Sequence, residues 1–342
     1  MNRVSRPLLG AIVVVIVGSA SSAAARTLPP GFQPVSFTAV SERDFWLLGT
    51  APCRGSQRCT AIVRTTDGGR SFDAVHAPAL PPSGTTPELR FADRLDGFVF
   101  VPWRGPFYAT HDGGASWRRL ALGRVVGFAT GAGTVFVVTS RSLEYSRVSA
   151  NAWHAQPLPF SSDGSPLALA AHGASLWLLG TRPSAGPSPS DELARSNDAG
   201  RTFLTAAGPC VPGLGGELAP ASTRVVWAVC PTGMLGAAWR STNGGVSFVR
   251  LRTPQLVNAA QIAPGSESTA VLERGVSARL LRTTDGGKTW RATQTPGAAV
   301  SVGWVGFTDA RVGAALVQTR TAATALWRTT DGGATWSNVR IG

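Results

Sequence analysis

Residues 282–290 read RTTDGGKTW, and residues 328–336 read RTTDGGATW. A catalytic loop is needed once, whereas a loop spelled twice belongs to a repeated unit, so the period decides the reading. The pattern Ser/Thr-x-Asp-x-Gly-x-Ser/Thr-aromatic occurs as TTDGGRSF at 65–72, THDGGASW at 110–117 and SNDAGRTF at 196–203. It continues as STNGGVSF at 241–248, with Asn for Asp, TTDGGKTW at 283–290 and TTDGGATW at 329–336. Successive closing aromatics lie 42 to 46 residues apart, except for one interval of 86 between Trp117 and Phe203. At half that interval stands SRVSANAW, 146–153, which keeps Ser146 and Trp153 but has Val148 for the acid and Ala150 for the glycine. The chain therefore carries seven units, the third degenerate.

Each unit has one internal grammar. An apolar stretch such as VSFTAV is followed by a turn, then by a second apolar stretch such as FWLLGT or VVWAVC. After a variable loop a third run enters the octet and a short fourth run leaves it. Four short strands with Gly- and Asp-rich turns at a period near 44 describe a propeller blade. The expected fold is all-β: a seven-bladed β-propeller of four-stranded antiparallel blades over residues 35–342, after a linker at 26–34. The period leaves no room for a second domain. Within the octet, Asp67, Asp112, Asp198, Asn243, Asp285 and Asp331 are expected to accept hydrogen bonds from N–H groups of their own turns. The glycines permit positive φ, and the aromatic buries its face between blades. A ring of carboxylates also suggests calcium or acid catalysis. The third unit loses its acid without losing its place, which favours structure, and no metal or other cofactor is expected.

The chain has 342 residues, 43% hydrophobic and 15% charged, too apolar for a disordered polymer. Residues 1–25 carry Arg3 and Arg6, the apolar run LLGAIVVVIVG and a small-residue end at Ala23–Ala25, the layout of a secretory signal. The competing reading is an uncleaved anchor, but the run is shorter than the ~20 residues a span needs. The expected destination is secreted or extracytoplasmic, on the outer side of the cytoplasmic membrane, with no stable span after processing. Four cysteines in an exported chain favour disulfides, paired locally as Cys53 with Cys59 and Cys210 with Cys230. Net charge is +13, or +11 once Arg3 and Arg6 leave with the signal, and Lys288 is the only lysine.

The repeated octet is that of the Asp-box, or bacterial neuraminidase repeat, and the resemblance covers essentially the whole processed chain. Asp-box propellers include sialidases, xyloglucanases, sortilin-type receptors and photosystem II stability/assembly factors, and the TTDGGxTW form is most similar to the last group. The resemblance implies the fold but not one activity. It also implies that the boxes join third and fourth strands on one face, leaving the second-to-third-strand loops on the other. Those loops carry Arg54 and Arg58 in unit one, Trp103 and Arg104 in unit two, Arg141 in unit three and Arg182 in unit four. Unit five has none, unit six has Arg274 and Arg279, and unit seven has Arg320. One reading is a positive annulus that attracts an acidic partner. The other is that Arg is the default polar residue of this chain.

A sialidase needs a nucleophilic Tyr paired with a Glu. Tyr108 and Tyr145 both stand immediately before a box, and Glu144 and Tyr145 point to opposite strand faces. The Phe/Tyr-Arg-Ile-Pro signature of sialidases is absent, and His76, His111, His154 and His172 show no metal spacing. The expected function is therefore a non-enzymatic scaffold, a monomer holding an acidic or extended protein segment. The alternative is a carbohydrate-active propeller, a sialidase-like hydrolase or a lectin for anionic glycans. Nucleic acid is not an expected partner, since aromatics interleaved with Arg are missing apart from Trp103.

Overall fold

The second apolar run of each unit cannot face water on either side. In the computed structural model it does not: Trp46–Leu48, Phe98–Phe100, Val135–Val138 and Leu176–Leu179 are all buried, as are Val226–Val229, Ala270–Leu272 and Ala314–Val317. The structure describes residues 28–341, except 56, 82–84, 161–167, 183–189, 258–259, 276–278, 298 and 322. The expected signal at 1–25 lies outside the described residues.

The chain is a seven-bladed β-propeller. Blade one comprises β1 (Gln33–Ala39), β2 (Phe45–Pro52), β3 (Arg58–Thr65) and β4 (Asp73–Val75), paired antiparallel in that order. Blades two to four occupy residues 88–120, 125–157 and 168–207, and blades five to seven 217–250, 261–292 and 299–339. The N–H groups of Leu89 and Phe91 in the first strand of blade two donate to Ser36 Oγ and Thr38 Oγ1 of β1, both at 3.0 Å. First strands thus neighbour one another around the centre, and fourth strands form the rim.

The core is seven clusters, one per junction between blades, and each includes the box aromatic of the later blade. Phe72 packs at the junction of blades seven and one, then Trp117, Trp153, Phe203, Phe248, Trp290 and Trp336 follow around the ring. Trp117 meets Phe91 edge to face at 6.1 Å and donates from Nε1 to the His76 carbonyl of blade one at 2.9 Å. Trp153 of the degenerate unit keeps the same role, edge to face with Phe107 at 5.8 Å. Pairs of this geometry contribute about 0.5–1.5 kcal/mol beyond area burial.

Among the described residues no strand is exchanged to close the ring. Blade one is built wholly from the N-terminal part of the described chain and blade seven wholly from the C-terminal part. Closure rests on side chains: Phe37 lies 5.1 Å from Trp304, and Arg328 Nη2 donates to the Glu42 carbonyl at 2.9 Å.

The box glycines are held to their type. Gly333 has φ +85°, and a Cβ there would stand 2.5 Å from Val271 Cγ2 of blade six. The preceding box position is less crowded, and in the fourth box Ala199 fills it at φ +58°. An alanine in the left-handed region is strained where glycine is not. Ala199→Gly is therefore expected to raise stability by ~1 kcal/mol, read as a higher urea midpoint at unchanged slope.

Candidate functional site

Each box lies between the third and fourth strands, at the same end of the sheet as the turn between the first and second. In the first box, Asp67 Oδ1 accepts from Thr65 Oγ1 (2.7 Å) and from the N–H groups of Arg70 (2.9 Å) and Ser71 (3.0 Å). Its Oδ2 accepts from Ser71 Oγ at 2.6 Å, while Thr65 Oγ1 accepts from Gly69 N–H at 3.0 Å. The boxes of Asp112, Asp198, Asp285 and Asp331 repeat this net. Asn243 reproduces it without a charge: its Oδ1 accepts from Ser241 Oγ and Ser247 N–H, and its Nδ2 donates to Ser247 Oγ. In the third unit Ser146 Oγ donates instead to the Ala150 carbonyl at 3.1 Å. The box carboxylates are thus spent on their own turns.

The arginine just before the box has a use that the octet pattern passes over. Arg64, Arg195, Arg240, Arg282 and Arg328 occupy this position, with Ala109 and Tyr145 in blades two and three. Arg282 Nε donates to the Gly332 carbonyl of the next blade at 2.7 Å, and Arg240 Nη2 to the Glu267 carbonyl of the next blade at 2.8 Å. The guanidinium carbons of Arg64 and Arg240 lie 4.8 and 5.1 Å from the ring centroids of Trp46 and Trp227. These cations clamp neighbouring blades on the box face. They account for part of the positive charge without any ligand.

The second-to-third-strand loops lie at the opposite end of every sheet. Among the described residues, the exposed side chains of Arg54, Arg104, Arg141, Arg279 and Arg320 make no ion pair or hydrogen bond. Two others are spoken for. Arg58 donates to Thr50 Oγ1 and to the carbonyls of Thr50 and Gly31, and Arg274 Nε donates to the Gln255 carbonyl. Arg182 ends the second strand of blade four, and its side chain lies outside the described residues. Trp103 is 42% exposed at φ +66°, with its N–H donating to the Val125 carbonyl at 2.8 Å.

Both disulfides, Cys53–Cys59 and Cys210–Cys230, are formed at this end and are marks of an oxidising, extracytoplasmic compartment. Among the described residues no helix is long and apolar enough to cross a membrane. Three acidic residues of this end are wholly or partly withdrawn from the surface, while Glu217 stays exposed. Glu192 and Glu273 are buried, and Asp191 Oδ2 accepts from Cys210 N–H at 2.6 Å. Burial pushes the Asp191 carboxyl up to about 6, against the hydrogen bonds from Cys210 and Glu192 N–H. Glu217, on the first strand of blade five, is pushed up to about 7 by surrounding protein, although its surface is open to water.

The enzymatic candidates do not converge. Tyr108 Oη donates to the Ala79 carbonyl, Tyr145 packs 5.5 Å from the His154 ring, and Glu144 Oε1 accepts from Ser142 Oγ. A concavity of about 500 Å³ lies elsewhere, between the outer edge of blade five and the box of blade six. Arg240, Val249, Arg250, Leu251, Arg252 and Lys288 line it, with no carboxylate among its lining residues.

The sequence matches no family model and no curated protein. Solved structures do match. The structure of YCF48 bound to a D1 peptide is 18% identical with TM-score 0.56, covering 90% of this chain and 96% of that one. YCF48 from Cyanidioschyzon merolae is 16% identical with TM-score 0.58, covering 90% and 99%. A prolyl endopeptidase is similar at 10% identity and TM-score 0.60, but the match covers 50% of its length. The likeness is to propellers both with and without catalytic partners, and at these identities it is a likeness of fold.

Titration separates the box carboxylates from Asp191. Burial raises Asp112 and Asp331, but the Ser/Thr hydroxyl and N–H donors of each turn outweigh it and hold both at about 2. Donors in the turn, the Ser71 hydroxyl first, likewise hold Asp67 far below the ordinary range. A carboxyl depressed in the folded state stabilises above its ordinary value near 3.8 and loses that contribution as pH falls towards 2. Asp191 acts oppositely, its favourable contribution fading as pH rises through about 6. Denaturant midpoints should fall steeply as pH drops below about 4 and decline gently as pH rises from about 4 to about 6, and Asp331→Asn should reduce the acid limb alone.

Proposed function

We propose that the chain is a non-enzymatic, extracytoplasmic scaffold that holds an acidic or extended protein segment on the propeller end opposite the boxes. The observation that carries this reading is the set of exposed, unpartnered guanidinium groups of Arg54, Arg104, Arg141, Arg279 and Arg320 beside buried acids. Arg58, Arg182 and Arg274 belong to the same loops and are part of the proposed surface, Arg58 and Arg274 as braces for it. An unpaired guanidinium fork in water is available to a carboxylate, and several on one rim attract an acidic chain before contact. Trp103, an exposed aromatic held in a strained backbone conformation, supports a contact role, since such strain persists where the surroundings impose it. Two further supports are the disulfides, which suit export of the chain by the signal at 1–25, and the similarity to YCF48, whose structure is bound to a peptide. The protein acts as a monomer in this reading.

Affinity capture from a native envelope fraction tests it. The combined variant Arg104→Glu, Arg141→Glu, Arg320→Glu should lose its partner while thermal unfolding stays unchanged, because these side chains hold nothing in the fold. Capture that survives the triple reversal discards the reading.

The concavity between blades five and six favours a second reading, a lectin for anionic glycans. It is large enough for a sugar unit and lined by cations without carboxylates. On that reading Arg250→Glu with Arg252→Glu abolishes binding to a uronate-rich oligosaccharide array, and an array blank for the unaltered chain dismisses it.

A further inference from the structure

Blade five differs from the rest at the loop end. Its second-to-third-strand turn, Cys230–Met234, has no arginine, and its tip residue Met234 is 87% exposed, followed by Leu235 at 47%. The connection entering the blade reads PCVPGLGG at 209–216 and exposes Val211 (42%) and Leu214 (41%). The Cys210–Cys230 bridge, with Cα atoms 5.0 Å apart, binds these two loops together. Val211, Leu214 and Met234 thus stand exposed on two bridged loops at one end of the blade. The entering loop is built to hold its pair: Leu214 N–H donates to the Val211 carbonyl, and Gly213 and Gly215 on either side both have positive φ.

Projecting apolar groups without a surrounding hollow do not fit a protein hot spot, which sits in a packed pocket. Leu235 lines a concavity of about 450 Å³ together with Arg250, Arg252 and Leu256, whereas Val211, Leu214 and Met234 line none of the four described concavities. A lipid bilayer needs no complementary shape. It accepts apolar tips at the headgroup–acyl boundary and attracts nearby cations to anionic headgroups. The same end of the propeller supplies those cations, Arg279 in the adjoining blade and Arg54, Arg104, Arg141 and Arg320 farther round, with the amphipathic Trp103.

We propose that this end of the propeller docks peripherally on an anionic membrane surface, with Val211, Leu214, Met234 and Leu235 immersed at the interface. Peptide capture and membrane docking share the arginine loops, but only docking needs the apolar side chains of blade five, so variants of those side chains separate the two. Docking would bring the arginine loops to the plane from which segments of membrane proteins emerge.

Co-sedimentation with lipid vesicles tests the proposal, using residues 26–342, which contain all seven blades. The unaltered chain should bind phosphatidylglycerol-containing vesicles, not pure phosphatidylcholine, and release as salt rises. Leu214→Glu with Met234→Glu should weaken binding by at least about tenfold while the melting curve and acidic-peptide binding stay unchanged. Failure of the unaltered chain to bind anionic vesicles, or equal binding by the double variant, overturns the proposal. Loss of binding on arginine reversal alone, with the double variant still bound, also overturns it, because simple electrostatic adsorption then suffices.

Discussion

The structure depends on a hairpin that closes itself and delivers an aromatic ring to the next interface. A carboxylate held by at least three hydrogen bonds from its own turn fixes the path of the chain between the third and fourth strands. The ring at the end of that turn then reaches the preceding blade, so each hairpin is both a local cap and a joint. Blade three separates the two duties. It has no acid and closes its turn through Ser146, yet Trp153 sits in its junction like the other aromatics. The joint is the stricter requirement, because a missing ring leaves a void in a close-packed interface, whereas a turn has several ways to satisfy its N–H groups.

The antiparallel order divides the molecule into a face that is consumed and a face that is free. On the box face, carboxylates and hydroxyls close their own turns, and pre-box arginines bond to backbone carbonyls across blade boundaries. On the loop face the balance reverses: Glu192 and Glu273 are buried and Asp191 is bonded to backbone, while Glu217 and several arginines end in water. The positive charge of the chain is therefore two populations, one structural and one unpaired, and composition alone could not tell them apart.

Period and strand count were legible because each blade repeats one apolar grammar, and the halved interval located Trp153 before any coordinates. The two disulfides were legible because each joins neighbouring segments. The pre-box arginines were in plain view, as the first letter of both RTTDGGKTW and RTTDGGATW, but the octet pattern began one residue later and left their role unread. Asp191 gave no local signal of its raised titration, since Cys210, whose N–H it accepts from, and the protein that buries it are brought to it only by the fold. Ring closure was illegible for the same reason: Phe37 and Trp304 are far apart in the chain and meet only when the seventh blade returns to the first. The apolar tip at Leu214 and Met234 reads in sequence as ordinary loop, and only its exposure marks it.

The central claim is that the box end is structural and binding belongs to the loop end. Hydrogen–deuterium exchange on the chain, free and bound to its captured partner, tests this most directly. The account predicts slowed exchange at residues 51–55, 101–106, 139–142 and 319–321, with every box turn unchanged. Protection centred on 65–72, 283–290 or 329–336, with the loop end unaffected, would contradict it.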